Sequence, residues 1–134
     1  MKKRLLYLFF IVASCSFAQE YAYFDFGNST HTTLGNWNNL VVTSQNEDGL
    51  TLNVINASGV DTGILFTLTD SFDHINANGT SSPNSALPFP DTASRDSFFG
   101  ATDAGFNGNV NPTGGFTLSG LDPSKYYSFS VFSS

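Results

Sequence analysis

Few side chains of this protein could attack a substrate or transfer a proton, and none lies in a complete catalytic motif. His31 and His74 are the two histidines, and both lie in polar stretches without a nucleophile motif beside them. Serine catalysis needs a nucleophile on a strained turn with a base in reach, and the sequence has no Gly-x-Ser-x-Gly. Two histidines and the single cysteine, Cys15, also disfavour a zinc site. We therefore predict that this part of the protein has no enzymatic activity.

One short motif, Asp61-Thr62-Gly63, resembles the signature of aspartic proteases. Those enzymes need two carboxylates that share a proton, and no second Asp-Thr-Gly or Asp-Ser-Gly is present. Only a homodimer could supply the missing carboxylate. We interpret the motif as a polar turn that precedes a strand beginning at Ile64.

A run of acidic and amide side chains offers oxygen ligands of the kind that calcium prefers. The candidates are Asp70, Asp73, Asn76 and Asn78. Their spacing does not fit an EF-hand, since His74 would occupy the first ligand position. Asx side chains also form turns, so the sequence leaves a structural calcium site and a series of turns open. No other cofactor is predicted.

The single tryptophan, Trp37, is flanked by Asn36 and Asn38. An exposed indole could stack on the face of a sugar while the two amides bond its hydroxyl groups. The alternative is that Trp37 covers the edge of the core, because tryptophans are highly buried on average. These three residues are the candidate ligand-binding set, with an extracellular glycan or a cell-surface molecule as the expected partner.

Short apolar runs separated by Gly, Asn, Asp, Pro and Ser predict an all-β fold in one domain. Two long segments, His74–Pro90 and Gly100–Gly114, have the composition of loops. Arg95, which follows the first of them, is expected to pair with an acidic residue and to hold that loop in place, the alternative being a ligand-binding arginine. The predicted strands are Ala22–Phe26, Leu40–Thr43, Leu50–Ile55, Ile64–Thr69, Arg95–Phe99, Gly115–Leu118 and Tyr126–Phe132.

The end of the sequence has the spacing of a tyrosine corner, with Leu121, Pro123 and Tyr127 in the matching positions. This pattern resembles fibronectin type III domains and indicates an antiparallel β-sandwich. Tyr127, Phe129 and Val131 then alternate with serines, as in a half-buried strand. Such a strand needs a neighbour, so we expect the chain to be truncated and the sandwich to be incomplete at its C-terminus.

The N-terminus has the pattern of an export signal. Basic residues at positions 2–4 precede an apolar run, Leu5–Ala13, that is too short to span a membrane. Cleavage is predicted after Ala18, which gives a signal peptide at 1–18 and a domain at 19–134. Alternatively, the residues before Cys15 resemble a lipobox, and lipidation there would give an outer-membrane lipoprotein. Either way the protein is expected to be secreted or at the cell surface, without a transmembrane span in its mature part.

Removal of the signal leaves a strongly acidic chain. Arg95 and Lys125 then stand against eleven acidic residues, a net charge of −9. Nucleic-acid binding requires cationic groups that neutralise phosphates, so this composition argues against a nucleic-acid partner.

Several segments together resemble a family of secreted β-sandwich proteins that is frequent in Bacteroidetes. They are Phe24–Gly27, Gly35–Asn39, Thr62–Ile64 with Asp70–Phe72, Gly79–Thr80, Arg95–Gly100 and Phe116–Lys125. The resemblance implies a jelly-roll domain related to galactose-binding-like modules, and it carries no established catalytic residues. The leading hypothesis is a non-catalytic extracellular binding or adhesion module for carbohydrate. The alternatives are an accessory domain of a larger secreted enzyme, or a structural spacer of a surface protein.

Overall fold

The computed structural model describes residues 19–42, 47–87, 89–104 and 110–132. The predicted cleavage after Ala18 and the predicted lipidation of Cys15 fall on a segment outside the described residues. The described part contains seven strands and one short helix. They are β1 (Tyr23–Gly27), β2 (Trp37–Val41), β3 (Thr51–Ile55), β4 (Asp61–Asp70), β5 (His74–Asn76), α1 (Asp91–Arg95), β6 (Ser97–Phe99) and β7 (Gly115–Ser119).

The strands form three small sheets. β3, β4 and β7 make an antiparallel sheet with β4 in the centre, and β5 and β6 form an antiparallel pair. β1 and β2 pair in parallel, with Tyr23 opposite Trp37 and Asp25 opposite Asn39. The predominance of strands confirms the all-β class, while the jelly-roll sandwich stays a prediction because the sheets are small. The parallel pair differs from the antiparallel arrangement that we expected throughout.

The hydrophobic core lies between the β1–β2 pair and the three-stranded sheet. Its fully buried side chains are Leu40, Val54, Phe66 and Leu68, from β2, β3 and β4. Phe24 and Phe26 of β1 pack against this cluster, and the rings of Phe26 and Phe66 lie 6.0 Å apart in an edge-on arrangement. Burying apolar side chains of this size stabilises a fold by roughly 1.5–3 kcal/mol each. These contacts hold β1 and β2 by their inner face.

Two elements occur where the sequence indicated loop or strand. β5 lies at the start of the predicted loop at residues 74–90, and α1 lies just after it. Arg95 is the last residue of α1, so the strand predicted from Arg95 begins two residues later, at Ser97. Pro90 precedes the helix, Asp91 lies in its first turn and Arg95 in its last turn. This charge order suits the helix dipole, but five residues are too few to show a helical period.

The strand predicted for Tyr126–Phe132 is wrong: residues 126–132 pair with no other strand of the described part. The side chains expected to point inward are exposed, including Phe129 at 68% and Val131 at 92%. Alternation identifies a segment able to form a strand, but a strand also needs a partner for its backbone groups. The hydrogen bond of a tyrosine corner is nevertheless present, because the Tyr127 hydroxyl accepts the Asp122 N–H at 2.9 Å.

Candidate functional site

The outer face of the β1–β2 pair carries the polar and aromatic side chains of these strands. Side chains alternate along a strand, so Phe24 and Phe26 face the core while Tyr23 and Asp25 face away from it. Because the pair is parallel and in register, residues of β2 lie beside their β1 partners on this face. The outer face therefore presents an aromatic row followed by a polar row.

The aromatic row is a stacked pair formed by Tyr23 and Trp37. Their ring centroids lie 5.1 Å apart at an interplanar angle of 26°. Both side chains are half-buried, so part of each ring faces solvent. Offset stacking of this kind is a favourable arrangement for aromatic pairs and holds the two rings at a fixed angle. The pair forms a nearly continuous apolar surface at the N-terminal ends of the two strands.

A cleft of about 440 Å³ lies at the same end of the strands. The backbone N–H of Ala57 donates to the carbonyl of Tyr21 at 2.7 Å, which places the loop after β3 beside the residues that precede β1. The Nδ2 of Asn36 donates to the carbonyl of Ala57 at 3.0 Å and ties the start of β2 to the same loop. The cleft is lined by Gln19, Glu20, Tyr21, Asn56, Ala57 and Ser58.

Asn56 shapes the wall of this cleft. Its Oδ1 accepts the backbone N–H groups of Ser58 and Val60, both at 2.9 Å, which closes the loop in an Asx turn. Its Nδ2 donates to the Glu20 carboxylate. The side chain of Glu20 is therefore held at the cleft, although sequence reasoning did not single it out. The hydrogen bond joins residues 36 positions apart, and nothing in the local pattern indicates it.

The three ligand-binding candidates from the sequence have different surroundings. Trp37 and Asn36 lie at the solvent-facing end of the outer face, close to the cleft. Asn38 faces the opposite way and is 2% exposed. Its Nδ2 donates to the carbonyls of Tyr23 and Ile55, and its Oδ1 accepts the Ile55 N–H. Asn38 therefore joins three strands and is not available to a ligand.

Asp25, in the polar row, carries a buried carboxyl group. The residue is 3% exposed; its Oδ2 accepts the Thr33 N–H at 2.9 Å, and among the described residues its Oδ1 has no hydrogen-bond partner. Burial raises the pKa of the Asp25 carboxyl above its ordinary value, while hydrogen bonds from Thr33 act in the opposite direction. The negative charge of Asp96 adds to the increase in pKa.

His31 and Asp96 fasten a loop and α1 onto this face. Nδ1 of His31 lies 2.8 Å from Oδ1 of Asp96, whose side chain is fully buried while that of His31 is 23% exposed. Asp96 also accepts the Asn28 N–H at 3.2 Å, and the Thr33 and Thr92 hydroxyls lie 2.8 Å apart. Sequence reasoning missed this cluster because its partners are 59 to 68 positions apart. These contacts fix the loop after β1 and α1 against the outer face.

The calcium candidates occupy different environments. Asp70 and Asn78 are exposed, and Asp73 is buried. The Asn76 Oδ1 accepts the Asn78 N–H at 3.0 Å, which is the hydrogen bond of an Asx turn. Within the described ranges, no group of three or more His, Cys, Asp and Glu side chains is placed to hold a metal ion. Structural calcium stays a prediction from the sequence.

The remaining sequence candidates make local contacts. Asp61 begins β4, and its Oδ1 accepts the Gly63 N–H at 2.8 Å, while Thr62 donates its hydroxyl hydrogen to the carbonyl of Val54. The Asp-Thr-Gly motif thus forms a local turn-like contact inside a strand. The backbone carbonyl of Arg95 accepts the Gly79 N–H at 2.8 Å, which ties the long segment to α1. The predicted ion pair of the Arg95 side chain stays a prediction.

Comparison of the chain with protein-family models, with curated proteins and with solved structures gives no match in any of the three. The resemblance to secreted jelly-roll proteins is therefore a proposal that rests on the sequence segments alone. The part of the chain that the structure describes contains no helix of the length and apolar character needed to cross a membrane.

Proposed function

We propose that this protein is a non-catalytic extracellular binding module, and that its ligand is a carbohydrate that stacks on Tyr23 and Trp37. The observation that carries the proposal is the fixed pair of half-buried rings, 5.1 Å apart, on the outer face of β1 and β2. A sugar ring has an apolar face of C–H groups that can pack on such a surface while its rim of hydroxyl groups meets polar side chains.

The polar groups needed for the rim lie next to the rings. Asn36 precedes Trp37, and Ser58 and Gln19 line the adjoining cleft. Binding sites commonly combine an apolar surface with a few placed polar groups that fix the orientation of the ligand. The cleft and the aromatic pair lie at one end of the same two strands, and the proposal is that a single ligand contacts both.

A binding assay with matched variants tests this proposal. We expect the full chain to be retarded in native gels that contain at least one soluble polysaccharide, and Trp37→Ala to abolish the retardation. Tyr23→Ala should weaken it, because the indole then loses the ring that fixes its angle. Tyr126→Ala is the matched control, since Tyr126 is fully exposed and lies outside the site.

Thermal unfolding separates binding from packing. Trp37→Phe keeps an aromatic ring on Tyr23 and should keep most of the stability while reducing the contact area with a sugar. Loss of retardation in a variant that melts like the wild type supports the proposal. The proposal would be overturned if folded Trp37→Ala were retarded as strongly as the wild type. It would also be overturned if no polysaccharide retarded the wild type.

A further inference from the structure

The charge around the cleft indicates which glycans the site accepts. Glu20 lines the cleft, and Asp61 is exposed at the start of β4, directly after the loop whose residues 56–58 form the opposite wall. Among the residues that the structure describes, none that lines the cleft is basic. An anionic ligand that enters the cleft thus approaches the Glu20 carboxylate, and no described lining residue offers it a positive charge.

Glu20 is held in a position where its charge acts on a ligand. The Asn56 side chain donates to Glu20 Oε1, and Asn56 is itself 8% exposed and fixed by the Ser58 and Val60 amides. The residue that carries the carboxylate is exposed, so a ligand in the cleft can approach it. A like charge brought close to a fixed carboxylate is repelled, and the repulsion is strongest at low ionic strength.

We infer that the site selects neutral glycans and rejects acidic ones, and that Glu20 is the residue that determines this specificity. The inference rests on the proposed carbohydrate function. It assigns the discrimination to repulsion by Glu20, whereas the affinity itself comes from the Tyr23–Trp37 stack.

The test uses soluble polysaccharides in pairs that share a backbone and differ in charge. Suitable pairs are hydroxyethyl cellulose with carboxymethyl cellulose, dextran with carboxymethyl dextran, and methyl-esterified with de-esterified homogalacturonan. At low salt we expect the neutral member of a bound pair to bind at least about fivefold more tightly, as expected for close unit charges in water. Raising the ionic strength to 1 M should remove most of the difference, because the Debye length falls to about 3 Å.

Two matched variants assign the effect to Glu20. Glu20→Gln removes the charge and keeps an oxygen that can accept from Asn56, so it should bring the affinity for the acidic polymer close to that for the neutral one. Asp48→Asn is the control, because it also keeps its acceptor oxygen for the amide and hydroxyl of Ser71. Ser71 follows the far end of the ten-residue strand β4, about 30 Å from Asp61. Asp48, which bonds to Ser71, therefore lies at the end of β4 that is remote from the cleft.

The outcomes are distinguishable. A selective wild type together with an unselective Glu20→Gln supports the inference. If the acidic polymers bind as tightly as the neutral ones, or if Glu20→Gln keeps the full selectivity, the inference fails while the carbohydrate function stands. If no polymer of any pair binds, both proposals fail.

Discussion

At the scale of single residues, the two amides beside Trp37 differ in what they do. Asn38 is buried and bonds to the backbone of β1 and β3, at the position where the register between β3 and β4 shifts. Asn36 is exposed and makes one hydrogen bond to a loop. The sequence places both beside the tryptophan, and only the direction of each side chain separates a structural role from a binding role.

Asn38→Ala should destabilise the fold by about 3 kcal/mol, since three buried hydrogen bonds are lost at about 1 kcal/mol each. Asn36→Ala, which removes a single exposed bond, should cost no more than about 1 kcal/mol. Urea unfolding of both variants gives the comparison. Equal losses of unfolding free energy in the two variants would contradict the structural role of Asn38.

Asp25 should make the stability depend on pH. Burial raises its pKa above the unfolded value of about 3.9, so its stabilising effect is complete below that pH and is lost as pH rises through the folded pKa. Asp25→Asn removes this titration and keeps an acceptor for the Thr33 N–H. Relative to the variant, the wild type should therefore lose stability as the pH rises from about 4, the unfolded pKa, through the higher folded pKa.

Denaturant unfolding of the two proteins over that range measures the difference. The neighbouring pair of His31 and Asp96 is present in both proteins. Burial would be contradicted as the dominant cause of the raised Asp25 pKa if the difference between the two unfolding free energies stayed constant with pH. It would also be contradicted if the difference changed in favour of the wild type as the pH rises.

At the scale of elements, the β4–β7 pair depends on a close backbone approach at its end. Gly120 follows β7 with φ +80°, and a Cβ there would lie 2.4 Å from the carbonyl oxygen of Gly63 in β4. Gly63 has a similar φ of +72°, but a Cβ on it would meet no atom within 4 Å. The two glycines therefore separate the conformational cost of a side chain from the steric cost.

Gly63→Ala should destabilise the protein by about 1–2 kcal/mol, the cost of a left-handed residue with a Cβ. Gly120→Ala should cost clearly more, because the backbone of β4 or of the β7 end must also move. Urea unfolding of the two variants measures this. Equal destabilisation would show that the approach between Gly120 and Gly63 is not tight in solution.

The elements also show what a local pattern can and cannot predict. Short apolar runs between turn residues placed strands close to β1, β3, β4 and β7. The pattern contains no information on partners, so it predicted neither the parallel direction of β1 and β2 nor the absence of pairing at residues 126–132. β5 and α1 are too short to carry a period at all.

At the scale of the whole molecule, the site is assembled by contacts between distant parts of the sequence. The aromatic ring of Trp37 was recognisable as a candidate from its type and neighbours alone. The sequence did not identify its partner Tyr23, the cleft or Glu20 as parts of the site. Ring stacking across two paired strands brings Tyr23 to Trp37, and a hydrogen bond between residues 36 positions apart holds Glu20 at the cleft. The acidic composition was evident from the sequence, but its consequence for ligand choice depends on which carboxylates lie at the cleft.

The emission of Trp37 offers the most direct measurement, because it is the only tryptophan of the chain. We would titrate the full-length protein with the polysaccharide that retards it most and follow the tryptophan fluorescence. The account predicts a saturable change in emission, with a midpoint equal to the dissociation constant from the gels. In Tyr23→Ala the midpoint should move to a higher polysaccharide concentration. Binding that leaves the emission of Trp37 unchanged, or an absence of binding to any polysaccharide, would contradict it.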